Sequence, residues 1–533
     1  MKKFITNTWK TLMILTAFIS ILSCSDDDDD MPPNIDPPSN PVTVTKSIEY
    51  DLGSKAVPSI SGKAIFKEYS DNSVTIELDL MNTPAGGQHP AHIHYNTAAD
   101  GGDVALTLGT VDGDTGKSEI AVTALNDGTA INYDQLVAFD GYINVHLSSD
   151  ELQTIVAQGD IGMNDLTGAS KSYNLSEKAV MGIDGTVTFY ERVNGESLSV
   201  IELNNTPEGG VHPAHIHFNS AVEGGGIAVS LVAVDGTTGT SSTNIASLND
   251  GTNIEYADLL DFDGYINVHL SGEELNVIVG QGDIGQNELT GSSVVYGLSE
   301  KAVPGISGEV EFFERKSGEA LAIMDLNNTP AGGSHPAHIH NNDAATGGGI
   351  AFTFNPVNGD NGRGVTHVGQ LDDGTSLGYE NIKNFNGYIN VHLSSDDLST
   401  IVAQGNIGSN VGSDGGSDGG SGGGSGGGNS YAVSNSGATA YLFTGGNLEN
   451  ESNPDFTFKR GETYTINVNA PGHPFMIKTS NTRGTGDTYD EGVTTNGIES
   501  GIITFTVPAG APDTLYYVCE FHSAMAGTIN IVD

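Results

Sequence analysis

Near the C-terminus a thiol, an imidazole and a thioether share one short loop, Cys519-Glu520-Phe521-His522-Ser523-Ala524-Met525, behind the apolar run Leu515-Tyr516-Tyr517-Val518. A second imidazole, His473, stands upstream in Gly472-His473-Pro474-Phe475. Thiolate suits Cu(I), imidazole suits Cu(II), and two His with one Cys in a plane under a long axial Met make up the donor set of a blue-copper electron-transfer centre. A buried Cys that only fills core space is the ordinary alternative, but four donors in ligand order argue against it. A structural zinc site would draw on more thiolates or imidazoles than one Cys and two His. A binuclear copper centre needs a second, bridging Cys near Cys519, and none exists. Mononuclear copper is the expectation.

Histidines recur upstream with a fixed offset. His92, His215 and His338 are 123 residues apart (215 − 92, 338 − 215), and so are His146, His269 and His392. Each copy reads His-Pro-Ala-His-Ile-His and later Gly-Tyr-Ile-Asn-Val-His-Leu. On a strand, His92 and His94 point to one face and Ile93 to the other, while Asn144 and His146 oppose Ile143, Val145 and Leu147. If the two strands are neighbours, His92, His94 and His146 converge. His215, His217 and His269 do so in the second copy, and His338, His340 and His392 in the third. Three imidazoles can bind Cu or Zn with a position left for water. A hydrogen-bonded His and Asn network tying two strands together stands beside that reading, since duplication alone would copy it. His89, with its counterparts His212 and His335, precedes a proline that interrupts strand pairing and is left out of the ligand set. His367 alone falls outside the scheme and is expected on an exposed strand or loop.

The elements that must position these groups are strands. The chain has 533 residues, 72 of them Gly, and a single Trp, a profile of short strands and many turns. It is too long for one core, and a period of 123 exceeds a solenoid unit, so tandem globular domains are expected at 47–169, 170–292 and 293–411. Strict alternation from Ser73 to Leu80 puts Val74, Ile76, Leu78 and Leu80 on a buried face, with Asp71-Asn72 as the preceding turn. Short helices are expected around Tyr133 to Phe139 and after Ser148, where Ser148 and Glu151 are spaced as a capping box. Residues 412–428, almost pure Gly and Ser, read as a flexible linker. In the last domain, 429–533, Tyr464, Ile466 and Val468 form one inward row, Ile503, Phe505 and Val507 another, and Leu515, Tyr517 and Cys519 a third. The expected fold class is all-β: three tandem β-sandwich modules followed by a Greek-key β-sandwich.

Residues 429–533 resemble the cupredoxin family, in its amicyanin- and plastocyanin-like branch, through the strand-Cys-loop-His-loop-Met-Gly-strand pattern that runs into Thr528-Ile529-Asn530-Ile531. The resemblance implies one type 1 copper, with His473, Cys519 and His522 as equatorial ligands and Met525 as the axial one. Pro474 departs from the pattern, in which a polar residue often follows the first His and helps hold the Cys sulfur. The three copies resemble the chordin-type (CHRD) domain, through the two histidine motifs and the later Gln-Gly-Asp-Ile-Gly, which becomes Gln-Gly-Asn-Ile-Gly at Gln404 to Gly408. That family supports an all-β module and implies no set chemistry. His-x-His followed by Gly-Asp-Ile-Gly is also faintly similar to copper–zinc superoxide dismutase, though without that family's bridging His and disulfide.

At the N-terminus, Lys2, Lys3 and Lys10 precede an apolar run from Leu12 to Leu22 that is short for a membrane span. Ile21-Leu22-Ser23-Cys24 resembles a bacterial lipobox, which implies a signal peptide over 1–23 and lipidation of Cys24. With Cys24 and Cys519 both used, no disulfide is available. Ser25 and Asp26 to Asp30 resemble the acidic export signal of surface-exposed outer-membrane lipoproteins in Gram-negative bacteria. An acidic, proline-rich tether over 24–46 would then hold the chain off the membrane. The formal charge of −47 argues against nucleic acid and anionic membrane surfaces as partners, leaving the lipid anchor as the membrane contact. The sequence thus points to a non-enzymatic copper protein that exchanges single electrons with a redox partner protein. Copper capture by the His-rich modules, a superoxide dismutase-like activity, and a structural or adhesive role for the repeats are the alternatives.

Overall fold

The computed structural model describes residues 41–411, 430–445 and 448–533. The expected signal peptide, Cys24, most of the tether and the Gly/Ser linker 412–428 lie outside the described residues. Among the described residues no helix is long and apolar enough to cross a membrane.

The first module consists of β1 (Val44–Ser54), β2 (Ser61–Tyr69), β3 (Val74–Met81), β4 (Gln88–Tyr95), β5 (Val104–Asp112), β6 (Lys117–Val122), α1 (Tyr133–Val137), β7 (Asp140–His146) and β8 (Ile155–Gly162). Alternation does the local work: Val74, Ile76, Leu78 and Leu80 are all buried and face Phe66, Ile93 and Ile143 in one core. The strands neighbour one another in the order β1-β2-β3-β6-β5-β4-β7-β8, and β1 pairs again with β8, so the all-β module is a single sheet curled into a closed barrel. The two layers expected of a sandwich are the two walls of that one sheet, and closure leaves no free edge. At the seam the chains approach so closely that a Cβ on Gly159 would lie 2.0 Å from the Asp51 carbonyl oxygen. Gly162, three residues later, has φ +62 and reverses the chain.

The second module repeats this barrel from Leu166–Glu177 to Ile278–Gly285, and the third keeps the same neighbours from Leu289–Glu300 to Asp397–Gly408. In the third, the counterpart of β5 breaks between Ile350–Thr353 and Val357–Asn358, where Pro356 has no N–H to donate. The first strands of the modules thus begin at Val44, Leu166 and Leu289, a few residues ahead of the boundaries read from periodicity.

Helix α1 forms where expected, with Asn132 accepting from the Gln135 N–H. The helix expected after Ser148 does not form. Glu151 N–H donates to Ser148 O (3.2 Å) and Thr154 N–H to Glu151 O (3.1 Å), two turns that let Leu147 pair with Thr154. The segment only joins the antiparallel strands β7 and β8, and so short a stretch cannot offset the cost of helix nucleation.

Successive modules are joined by a buried arginine. The Arg192 side chain is fully buried and its guanidinium donates to Asp160 of the preceding module (2.8 Å) and to the Asn164 carbonyl. Arg315 repeats this with Asp283 (2.8 Å) and the Asn287 carbonyl (2.6 Å). A buried charge is tolerated only when paired in this way.

The C-terminal domain has two sheets. One runs Leu448–Ser452, Ala440–Gly445, Ser430–Ser436, Thr463–Asn469, Ser500–Thr506; the other runs Phe456–Lys459, Ala526–Val532, Thr514–Cys519, Phe475–Lys478. Each contains one parallel pair, Ser430–Ser436 beside Thr463–Asn469 and Phe456–Lys459 beside Ala526–Val532. The three inward rows named above are buried between the sheets, Leu515, Tyr517 and Cys519 completely.

Candidate metal centres

Cys519 ends its strand directly opposite Phe475 of the neighbouring strand. His473, two residues before Phe475, therefore arrives beside the sulfur, and the loop after Cys519 folds back to bring His522. His473 Nδ1 and His522 Nδ1 are 3.0 Å apart, and they lie 3.8 and 3.6 Å from Cys519 Sγ. Metal–nitrogen bonds of about 2.0–2.1 Å and a metal–sulfur bond of about 2.3 Å would put N and S roughly 3.5–4 Å apart around one ion at near-trigonal angles. The donor set fits without rearrangement. Met525 is buried in the same cluster as Cys519, and its carbonyl accepts the Cys519 N–H (2.9 Å).

Side chains that carry no motif hold this loop pair. The buried Tyr441 hydroxyl donates to the carbonyls of His473 (2.8 Å) and Pro474 (3.0 Å). Burial, and then the adjacent Cys519 sulfur, raise its pKa far above the ordinary phenol value, so it stays a donor. Asn453 accepts from Tyr441 N–H and donates to Ala524 O, both at 2.9 Å, pinning the second loop. Glu499 accepts the Gly472 N–H at 2.8 Å. Sequence reading missed all three residues; the only hint was a tyrosine at position 441 in an inward row that continues with Phe443.

In the first barrel β4 and β7 are antiparallel neighbours, with His92 opposite Asn144 and His94 opposite Tyr142. This brings His92, His94 and His146 together, and the repeats do the same for His215, His217 and His269 and for His338, His340 and His392. In every triad the ligating atoms lie within 4.8 Å of one another. Carbonyls fix the tautomers. His94, His217 and His340 turn Nδ1 toward Gly102, Gly225 and Gly348 O at 2.9–3.0 Å, and His269 and His392 turn Nδ1 toward Leu275 and Leu398 O at 2.6 and 2.7 Å. Each of these rings then presents Nε2 as a lone pair. The first His of each triad instead presents Nδ1: His215 Nδ1 stands 3.1 Å from His269 Nε2. Tyr142 stacks on His94 at 4.9 Å, and its hydroxyl accepts the N–H of Gly102, the residue whose carbonyl orients that ring.

A purely hydrogen-bonded network accounts for less. Asn144 Nδ2 lies 3.5 Å from His94 Nε2, and Asn390 Nδ2 3.4 Å from His340 Nε2, at the outer limit for such a bond. His92 Nδ1, His338 Nδ1, His217 Nε2 and His392 Nε2 are buried with no partner. Burial, with the neighbouring imidazoles, pushes His92, His215 and His338 below the usual histidine value, and burial does the same to His146, His269 and His392. The neutral ring, which is the ligating form, is thereby favoured.

His89 lies outside the triad and turns Nδ1 to the His146 carbonyl at 3.2 Å, as His212 and His335 do in their modules. His367 departs from expectation. It lies on the strand Arg363–Val368 but is largely buried, its ring 3.5 Å from Glu223 of the second module and 3.8 Å from Glu319, because the adjoining module covers it.

No protein-family model and no curated protein matches this chain. Among solved structures it is similar to one titled "Biofilm associated protein - BSP domain", at 11% identity over 92% of this chain and 96% of that chain, with a TM-score of 0.13. At that score the likeness carries neither fold nor function across. The chain is thus defined by its own features: an all-β, multi-domain protein with, among the described residues, four clusters of side chains that could hold a metal ion.

Proposed function

We propose that the C-terminal domain is a cupredoxin-type electron carrier, one type 1 copper held by His473, Cys519 and His522 with Met525 as the axial donor. The observation that carries this reading is the convergence of Cys519 Sγ and two imidazole Nδ1 atoms within 3.8 Å at the buried end of a two-sheet domain. Copper, when bound, supplies one-electron exchange. The chain supplies the frame: Cys519 is fixed by strand pairing, His473 by Tyr441, and the His522 loop by Asn453. Donors fixed in one geometry lower the rearrangement between Cu(II) and Cu(I). The protein is read as a non-enzymatic, lipid-anchored carrier at the outer face of the outer membrane, serving a redox partner protein.

The test is optical and spin-resonance spectroscopy of the copper-loaded mature chain. An intense blue or green colour in the oxidised protein, lost in Cys519→Ser, supports the reading. A colourless Cu(II)-loaded protein with intact Cys519 overturns it. Anchoring is checked separately, since Cys24→Ala should release the protein from the membrane fraction.

A further inference from the structure

Each module carries a polar cluster that electron transfer at the C-terminal site does not use. We infer that every module holds one late first-row metal ion, copper in preference to zinc, on three neutral imidazoles: Nδ1 of the first His and Nε2 of the other two. The inference stands independently of the blue-copper reading, because it rests on different residues.

Three observations carry it. The first is convergence, since the ligating atoms of all three triads lie within 4.8 Å, and His215 Nδ1 stands 3.1 Å from His269 Nε2. Nitrogens about 2.0–2.1 Å from a common ion stand roughly 3–3.5 Å from each other. The second is orientation. Carbonyls of Gly102, Gly225 and Gly348 receive the outer Nδ1–H of the middle histidine, the arrangement that fixes tautomer and basicity in metal-bound imidazoles. The third is what that orientation leaves. His92 Nδ1, His338 Nδ1, His217 Nε2 and His392 Nε2 are buried without partners. In the second module the bond of His269 Nδ1–H to Leu275 O leaves His269 Nε2 as an acceptor for His215 Nδ1–H at 3.1 Å, so an ion there would take the place of that one proton.

The donors select the ion. With no carboxylate in the triad, Ca²⁺ and Mg²⁺ are excluded, since those ions take oxygen. Imidazole suits Zn and Cu, and of the two Cu²⁺ binds nitrogen sites more tightly. Three protein ligands leave a position open. His92 and His94 are only half-buried, so that position is open to water or a small anion.

The test uses the full mature chain carrying Cys519→Ser and His522→Gln, which removes the C-terminal site. It is titrated with Cu(II), and in a second arm with Zn(II), then dialysed against glycine as a weak competitor. Three retained copper ions per chain, each with spin-resonance splittings from several nitrogens, are expected. Adding His217→Gln should lower the count to two. The splittings are read from unmutated triads, so they decide the matter even if His217→Gln disturbs folding of its module. Retention below one ion per chain, copper ligated by oxygen alone as on an acidic surface, or a count of three that His217→Gln leaves unchanged in a folded protein would overturn the inference. Zinc that an equal amount of Cu(II) fails to displace would overturn the preference for copper.

Discussion

Tyr441→Phe offers the sharpest check on how the C-terminal site is held. The substitution deletes one hydroxyl and leaves the ring's packing against Phe475 and Tyr517 in place. That hydroxyl donates to His473 O at 2.8 Å and to Pro474 O at 3.0 Å, and Pro474 O keeps a second donor, Glu520 N–H, at 3.2 Å. The loss is therefore about one buried hydrogen bond plus a carbonyl left short of a partner, in all about 2 kcal/mol. For a domain of roughly 100 residues each kcal/mol moves the midpoint by about 4–8 °C, so the metal-free C-terminal transition should fall by roughly 8–16 °C. If the His473 loop is ordered only on binding in the variant, the same free energy weakens copper affinity by up to about 30-fold. Calorimetry of the full chain and chelator competition measure the two quantities. A C-terminal transition unmoved, together with unchanged affinity, would show that the tyrosine hydroxyl does not position His473.

Further expectations concern the modules. Asp283→Asn keeps an oxygen for Ala221 N–H (2.7 Å in the native contact) but strips the carboxylate from buried Arg315. Urea unfolding should register a loss of about 3–5 kcal/mol, whereas Arg315→Met in the same background should recover most of it; equal losses in both would mean packing, not pairing, matters. In the metal-free chain, the depressed imidazoles His92, His146, His215, His269, His338 and His392 stay neutral when folded and take up protons when unfolded. Stability should therefore be level above about pH 7 and fall as the pH drops through about 6.5, the ordinary histidine value. Denaturation midpoints that stay flat between about pH 7 and 5.5 would contradict this. Gly159→Ala should open the barrel seam at Asp51, costing about 1–3 kcal/mol by urea unfolding; no loss would mean the seam is loose.

Much of this arrangement was legible before any coordinates. Period-2 alternation placed Val74 to Leu80, and the same rule put His92 and His94 on one face, because side-chain direction on a strand depends only on parity. The partnership of Gly141 to Leu147 with that strand was a condition of the reading and not a result of it, and the antiparallel pairing of β4 and β7 supplies it. Barrel closure was not legible, since nothing in the alternation of β1 or β8 says that Ser54 meets Ala157. In retrospect the glycine at 159 encodes that contact. The spurious helix after Ser148 came from a local capping pattern that a tight strand connection overrode. Tyr441, Asn453 and Glu499 escaped because each acts through backbone atoms of distant loops, which leave no spacing to read. His367 and Arg192 were misjudged or overlooked for one reason: a polar residue on a strand reads as solvent-facing until a neighbouring domain is known to cover it.

The buried arginines give the row of modules a head and a tail. Counting back 123 residues from Arg192 reaches Tyr69, so the leading copy has no guanidinium to offer. Counting forward 123 from Asp283 reaches Asn406, so the trailing copy presents an amide where its predecessors present an acid. Asn406 still accepts the Ala344 N–H, as Asp160 and Asp283 accept from Ala98 and Ala221, and only the charge meant for a successor is gone. A fourth copy grafted behind the third would bring its arginine to a neutral socket, and shuffling the copies would strand one charge or another. The length of the row is written into its two end residues.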